Sequence, residues 1–234
     1  MVICLKESGT QCLLFDGEKM VPCWIIAGRR TGSCFLTSLL NNTNLFDPTF
    51  EDYFVYCRRR NEPYKLMPYN KFHPAYWKEQ GLNLNETIDA INQVKSYFPD
   101  IKFVRLKRNF IDTTVSDYIQ RETKMFKFYE SETEIVETYL KTKIRVSEDK
   151  LKELVSWNME LYILESNICK ELGDYLEIEY NDLIKDPKNE LNKILKFIGY
   201  NDTQEAKTEL RKTPERPEYY IIKEILLRDM IKVI

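Results

Sequence analysis

With 234 residues, of which 43% are hydrophobic and 31% charged, the chain has the composition of an ordinary globular protein with enough length for one large core, which excludes a disordered chain. The 35 basic and 37 acidic residues give a formal net charge of −2, so no nucleic-acid partner is expected and any basic site must be local. The sequence has six cysteines without paired or metal-ligand spacing, and it has no long apolar run and no signal pattern. It therefore predicts a cytoplasmic protein without a metal site, a disulfide framework or a membrane span.

The N-terminal residues 1–21 contain two short apolar stretches, Val2–Leu5 and Cys12–Phe15, separated by turn residues. This pattern predicts an accessory β-hairpin. Residues 23–216 are predicted to form the core of a single domain that spans the whole chain. Residues 217–234 are predicted to form an amphipathic helix, which either packs in the core or forms the contact of a homodimer.

The next segment predicts a strand, a turn and a helix in direct succession. An apolar run between Pro22 and Gly28 is long enough for one buried strand, and apolar residues from Phe35 to Leu40 recur at helical spacing. Free N–H groups at the start of such a helix attract an anion. The turn between them supplies further candidate ligands of a phosphate or sulfate group: Arg29, Arg30, Thr31, Gly32, Ser33 and Cys34. The alternative is an ordinary turn with solvated arginines.

This turn differs from the loop that binds nucleoside triphosphates with magnesium. That loop has the pattern GxxxxGK[ST], in which the lysine and the hydroxyl hold the terminal phosphates and the metal. Here the spacing from Gly28 to Gly32 is too short, and Ser33 and Cys34 stand where the lysine and the hydroxyl are needed. The sequence therefore favours an anion site without a metal and disfavours a P-loop kinase.

Two acidic residues beside aromatic ones, Glu51 and Asp52, are candidate general bases, because a partly dry pocket raises the pKa of a carboxylate. The alternative is that they are first-turn acids that stabilise the N-terminus of a helix. The only histidine, His73, is kept as a reserve base. A second strand is predicted over Tyr64–Tyr69, with Lys65 either at the site or lying along the surface.

A second basic turn follows a later strand. A helix is predicted over residues 85–98 with Asn85 as its cap, followed by a strand over residues 102–106 and another helix after Arg108. Arg108 would then lie at the carboxyl end of its strand, where ligands bind in parallel sheets. Ser116 lies two turns into the next helix and is expected to reach the same ligand.

The rest of the chain continues the alternation of helices and strands. A long helix is predicted over residues 147–172, a strand over Tyr175–Tyr180, and a helix after Asp186-Pro187 that ends at Gly199. Together these elements predict an α/β protein with a doubly wound, mainly parallel sheet flanked by helices. A basic loop that ends at Arg216 precedes the C-terminal helix.

In order and spacing, these stretches resemble the sulfotransferases, and among them the bacterial trehalose sulfotransferases. The loop Arg29–Cys34 resembles the loop that binds the 5′-phosphosulfate of 3′-phosphoadenosine 5′-phosphosulfate (PAPS). Arg108 and Ser116 occupy the positions of the Arg and Ser that bind the 3′-phosphate. Lys65-Leu66-Met67 resembles a KLM strand of that family, and Tyr180-Asn181-Asp182-Leu183 resembles its Tyr-x-Asp-Leu pattern.

The resemblance implies a P-loop-like fold and transfer of a sulfuryl group from PAPS, without a metal, to a hydroxyl of a carbohydrate or similar small acceptor. The products would be a sulfate ester and adenosine 3′,5′-bisphosphate. Arg30 and Lys65 would assist the departing phosphate, Glu51 or Asp52 would take the proton of the acceptor, and the late loop with Lys212 and Arg216 would close over the cofactor. One departure is Cys34, which stands where the family has Thr or Ser. A non-catalytic nucleotide-binding module, or a kinase-like phosphotransferase, is the alternative.

Overall fold

A computed structural model of the chain describes residues 2–5, 11–15, 18–20, 23–43, 69–72, 83–97, 99–125, 128–129, 131–200, 203–208, 210 and 212–231. Its strands are β1 (Val2–Leu5), β2 (Gln11–Phe15), β3 (Glu18–Met20), β4 (Cys23–Ala27), β5 (Tyr69–Phe72), β6 (Lys102–Lys107) and β7 (Leu176–Glu179). Its helices are α1 (Ser33–Asn41), α2 (Leu84–Tyr97), α3 (Phe110–Thr123), α4 (Thr133–Lys141), α5 (Glu148–Leu172), α6 (Tyr180–Lys185), α7 (Pro187–Phe197) and α8 (Pro217–Ile231).

The described strands form two separate sheets. The central sheet has the order β5-β4-β6-β7, and all of its neighbouring strands run parallel. The predicted parallel α/β fold is confirmed. The second strand of the sheet spans Tyr69–Phe72, so that it extends three residues beyond the predicted strand and shares only Tyr69 with it; the other predicted residues, 64–68, lie outside the described residues. The N-terminal hairpin is extended by a third antiparallel strand, β3, which the sequence analysis had missed.

Helices cover both faces of the central sheet. All five residues of β4 are buried, and their side chains alternate between two apolar clusters. Ile25 and Ala27 pack on one face with residues of α1 and α7, whereas Trp24 and Ile26 pack on the other with residues of α2 and α5. Burial on both faces explains why this strand reads as a continuous apolar run.

A third apolar cluster joins α3, α4, α5 and α8 beside the sheet. Val115 of α3, Tyr139 of α4 and Ile222 of α8 are among its buried members. The C-terminal helix therefore contributes to the core, which was one of the two roles that the sequence left open. This packing places α8 along α3, the helix that follows Arg108.

Helix caps fix where two of these helices begin. Asn83 and Glu86 form a reciprocal pair, in which each backbone N–H donates to the other side chain at 3.0 Å. Helix α2 therefore begins at Leu84, and the predicted cap at Asn85 was wrong by two residues. At the start of α3, Asn109 Oδ1 accepts from the amide of Ile111 at 2.9 Å, which ends the turn directly after Arg108.

The strand order locates the point where the sheet changes direction. The chain passes from β4 to β5 on one side and then returns to β6 on the other, with Ala27 of β4 opposite Leu106 of β6. Ligands of doubly wound sheets bind beyond the carboxyl ends of such neighbouring strands. Within the described ranges, no helix combines the length and the apolarity that crossing a membrane requires.

Candidate functional site

The two basic turns meet beyond the carboxyl ends of β4 and β6. Arg108 Nη1 donates a hydrogen bond to the backbone carbonyl of Arg30 at 2.8 Å. Arg30 Nε in turn donates to Ser116 Oγ at 3.2 Å. Three residues that the sequence analysis selected from two distant segments therefore lie in one site.

The backbone of the first turn is held in an uncommon conformation. Arg30 and Gly32 both have positive φ, 59° and 93° respectively. A β-carbon on Gly32 would lie 2.4 Å from Cδ2 of Tyr180, so that only glycine fits there. Helix α1 begins at the next residue, Ser33, and the first N–H groups of a helix lack partners within it. A turn of this shape directly before a helix N-terminus can accommodate an anion.

Thr31 contributes to the shape of the loop. Its hydroxyl donates to the carbonyl of Gly28 at 2.8 Å, and the residue is buried. The sequence predicts that this hydroxyl donates to a ligand, but in the structure its proton is engaged inside the loop.

A cavity of about 290 Å³ opens beside Arg30 and Arg108. Among its described lining residues, basic side chains outnumber acidic ones, so that its surface favours an anion. The basic ones are Arg30, Arg108, Lys212, Arg216 and Lys223, and the acidic ones are Asp112 and Glu215. Ser116 also lines it.

A smaller cavity of about 100 Å³ lies at the start of α1. Gly32, Ser33 and Cys34 line it, and so do Ile184, Leu210 and three aromatic residues. These aromatic residues are Phe35, Phe128 and Tyr180. The two cavities adjoin, because Arg30, Arg108, Tyr180, Lys212 and Thr213 line both.

The two guanidinium groups make the shared region strongly cationic. Burial, and next the positive charge of Arg108, lower the pKa of Arg30 from its ordinary value. Arg108 lies over the ring of Tyr180, with its guanidinium carbon 4.3 Å from the ring centroid. The buried Nε atom of Arg108 has no hydrogen-bond partner among the described residues. An anion between these groups would relieve their mutual repulsion.

The two basic residues of the late loop differ in their surroundings. Lys212 is half exposed and pairs with Glu215 at 2.9 Å. Arg216 is only 2% exposed, and its guanidinium donates to the backbone carbonyls of Tyr139 and Thr142. It also bonds both carboxylate oxygens of Glu218, at 3.1 and 3.2 Å. Arg216 thus ties the loop to α4 and has little donor capacity left for a ligand.

A polar cluster on α3 and α8 was missed by the sequence analysis. Oδ1 of Asp112 accepts from the hydroxyl of Tyr219 at 2.8 Å and from Nζ of Lys223 at 2.7 Å. Burial raises the pKa of Asp112, but these two hydrogen bonds, together with the positive charges of Lys223 and Arg108, hold the pKa below its ordinary value. Burial, and next the bond to Asp112, raise the pKa of Tyr219. Spacings of four residues, from Arg108 to Asp112 and from Tyr219 to Lys223, were the only signal in the sequence.

A buried ion pair supports the base of the loop. Arg105 Nε donates to Glu165 Oε1 at 2.9 Å, and both side chains are almost fully enclosed. A β-carbon on Gly28 would lie 3.1 Å from Oε2 of the same glutamate, so the carboxylate packs against the loop backbone. Arg29 lines a separate cavity of about 40 Å³ next to Glu165 and does not line the two larger cavities.

Four predicted site residues lie outside the described residues: Glu51, Asp52, Lys65 and His73. Among the residues that are described, no group of three or more His, Cys, Asp and Glu side chains could hold a metal ion.

Comparison with known proteins identifies one family. A sequence model described as the sulfotransferase family matches residues 68–204, which is more than half of the chain. Among solved structures, the chain is similar to the sulfotransferase domain from the Synechococcus PCC 7002 olefin synthase, with 14% sequence identity and a TM-score of 0.43. That similarity covers 79% of this chain and 74% of the other. No curated protein matches the sequence.

Proposed function

The chain belongs to the sulfotransferase family, and from this premise we propose that it transfers a sulfuryl group from PAPS to a hydroxyl of a carbohydrate or similar small acceptor. The observation that carries the proposal is the contact between the two basic turns, with Arg108 bonded to the carbonyl of Arg30 beside two adjoining cavities. A donor with phosphates at both ends of one nucleoside requires two such cationic positions close together.

The lining of the site fits the parts of this donor. The 5′-phosphosulfate would bind the amides at the start of α1, with Gly32 allowing close approach and Arg30 supplying charge. The 3′-phosphate would bind Arg108, whose buried Nε lacks a partner, and Ser116.

The reaction needs positioning and charge stabilisation more than it needs covalent chemistry by the protein. The oxygen of the acceptor attacks the sulfur in line, the bond from sulfur to the 5′-phosphate oxygen breaks, and the proton of the hydroxyl passes to a carboxylate. Arg30 stabilises the charge on the departing phosphate, assisted by Lys65. Glu51 or Asp52 takes the proton, with His73 in reserve.

A second candidate is a nucleotide-binding module that does not catalyse transfer. Its support is Cys34, which lines the smaller cavity at the place where the family has a hydroxyl. A kinase-like phosphotransferase is disfavoured, because Ser33 stands where the lysine of a triphosphate loop is required.

The test uses the whole chain with PAPS carrying labelled sulfate and a panel of acceptors that begins with disaccharides such as trehalose. We expect label on an acceptor, together with release of adenosine 3′,5′-bisphosphate. Tight binding of the bisphosphate without transfer to any acceptor would support the non-catalytic module. Absence of binding, or magnesium-dependent transfer from ATP, would contradict the proposal.

The variants Glu51→Gln and Asp52→Asn distinguish the two candidate bases. Only the variant that lacks the true base should have a lower kcat while its affinity for the bisphosphate is kept.

A further inference from the structure

The polar cluster on α3 and α8 introduces a negative charge into a cavity that should bind phosphate. Asp112 lines the larger cavity together with Arg108, four residues earlier in the chain. A carboxylate next to an arginine normally pairs with it, and such a pair would neutralise the cation that the ligand needs. The presence of Asp112 at this place therefore requires an explanation.

In the structure the two side chains do not pair. Among the described residues, Asp112 has one ion pair, with Lys223, while the contacts of Arg108 include the carbonyl of Arg30 and the ring of Tyr180. Asp112 still lies close enough for the charge of Arg108 to contribute to its lowered pKa. Both residues line the same cavity, so a carboxylate that turned towards Arg108 would compete with an anion for its guanidinium.

Two residues of α8 bind the carboxylate. The hydroxyl of Tyr219 and the ammonium of Lys223 both bind the same oxygen of Asp112, at 2.8 and 2.7 Å. Tyr219 packs against the third cluster, where the neighbouring Ile222 is fully buried, and this packing holds α8 against α3. The carboxylate is therefore fixed between α3 and α8.

We propose that Tyr219 and Lys223 are positioning residues of the anion site, which hold Asp112 away from Arg108 and so keep the Arg108 guanidinium available for a phosphate. The proposal rests on the proposed function, because it takes the 3′-phosphate of the donor as the ligand of Arg108. It assigns to α8, which lies beyond the segment matched by the family, a part in ligand binding.

The test compares bisphosphate affinity in a set of variants, measured by titration calorimetry. The double variant Y219F/K223M keeps the volume of both side chains and removes both bonds to Asp112. We expect it to bind adenosine 3′,5′-bisphosphate about tenfold more weakly, since one ion pair now competes with the ligand. The matched control is Lys188→Met, which removes a lysine from an exposed ion pair with Glu205. We expect no change in its affinity.

The decisive measurement is whether a third substitution restores the affinity for the bisphosphate. Adding Asp112→Asn to the double variant removes the competing charge, so the affinity should return to that of the wild type. If Asn at position 112 does not restore binding, the effect of α8 is structural and the proposal is overturned. Unchanged affinity in the double variant would overturn it as well.

A crystal structure of the double variant gives a readout that does not depend on the ligand. We expect the carboxylate of Asp112 within about 4 Å of the Arg108 guanidinium, the usual limit for an ion pair. A carboxylate that keeps its place or turns to solvent would overturn the proposal. If the wild type fails to bind the bisphosphate, the proposed function fails, and the crystal structure still decides whether α8 holds Asp112.

Discussion

The Nη1 atom of Arg108 donates a hydrogen bond across 2.8 Å to the backbone carbonyl oxygen of Arg30, which joins the second basic turn to the first. The bond fixes the carbonyl at the residue where the loop takes a positive φ of 59°. The loop is thus held in its curved form before any ligand arrives.

The first prediction concerns Arg108 itself. Arg108→Ala should weaken binding of adenosine 3′,5′-bisphosphate by about tenfold to a hundredfold, which corresponds to the loss of a charged hydrogen bond. Arg108→Lys should keep only part of the affinity, because an ammonium cannot lie flat on the ring of Tyr180 while it donates to the carbonyl of Arg30. Titration calorimetry measures both. Arg228→Ala, which removes an exposed arginine of α8, is the control, and undiminished affinity in Arg108→Ala would remove Arg108 from the site.

The second prediction concerns Ser116. Its hydroxyl accepts from Arg30 Nε at 3.2 Å, and it lines the larger cavity. Ser116→Ala should lower bisphosphate affinity severalfold and change thermal stability little, because Arg30 can turn to the cavity. Ser116→Thr keeps the hydroxyl and should keep more of the affinity. Equal losses in the two variants would show that the hydroxyl does not contribute.

The third prediction concerns the loop glycine. Gly32→Ala should destabilise the fold, because its β-carbon would overlap the ring of Tyr180 at 2.4 Å. Gly173→Ala is the matched control, since Gly173 also has a positive φ, of 80°, but nothing lies within 4 Å of the added carbon. Backbone strain alone should cost the control about 1 kcal/mol, and overlap should cost Gly32→Ala about 1–3 kcal/mol more. Urea denaturation of both variants measures the difference.

The fourth prediction separates the two basic residues of the late loop. Arg216→Ala should lower the free energy of unfolding by about 2–4 kcal/mol, because it leaves Glu218 and two backbone carbonyls without their donor. Lys212→Ala, at a side chain that is 51% exposed, should change stability by less than about 0.5 kcal/mol but weaken bisphosphate binding. If Arg216→Ala weakens binding at full stability, its role is that of a ligand contact.

The fifth prediction concerns the pH dependence of stability. The pKa of Asp112 is lower in the folded protein than its ordinary value of 3.8, so its contribution is fully present above that pH and is lost as the pH falls through the folded pKa. Asp112→Asn should therefore be less stable than the wild type at pH 7, and the difference should fade below about pH 4. Thermal melting across this range tests it. A difference that stays constant with pH would show that the charge of Asp112 is not involved.

Most of the fold could be predicted from local patterns. The run Cys23–Ala27 and the alternation of apolar helices and strands predicted the parallel sheet, since a strand that is buried on both faces has to be apolar throughout. The strand segments that local patterns did not predict have weak patterns. The strand over Tyr69–Phe72 contains Asn70 and Lys71, and the additional strand over Glu18–Met20 is three residues long.

The candidate anion site was likewise visible in the sequence, because a Gly-Ser turn before a helix and an arginine after a strand each have a local meaning. The sequence by itself determined that this protein has two basic turns at the ends of two strands. Only the tertiary structure decided that they touch, that Arg216 is tied to α4, and that Tyr219 and Lys223 hold Asp112. Hydrogen bonds and ion pairs between distant residues depend on how helices pack, and packing is a property of the whole chain that no local pattern encodes.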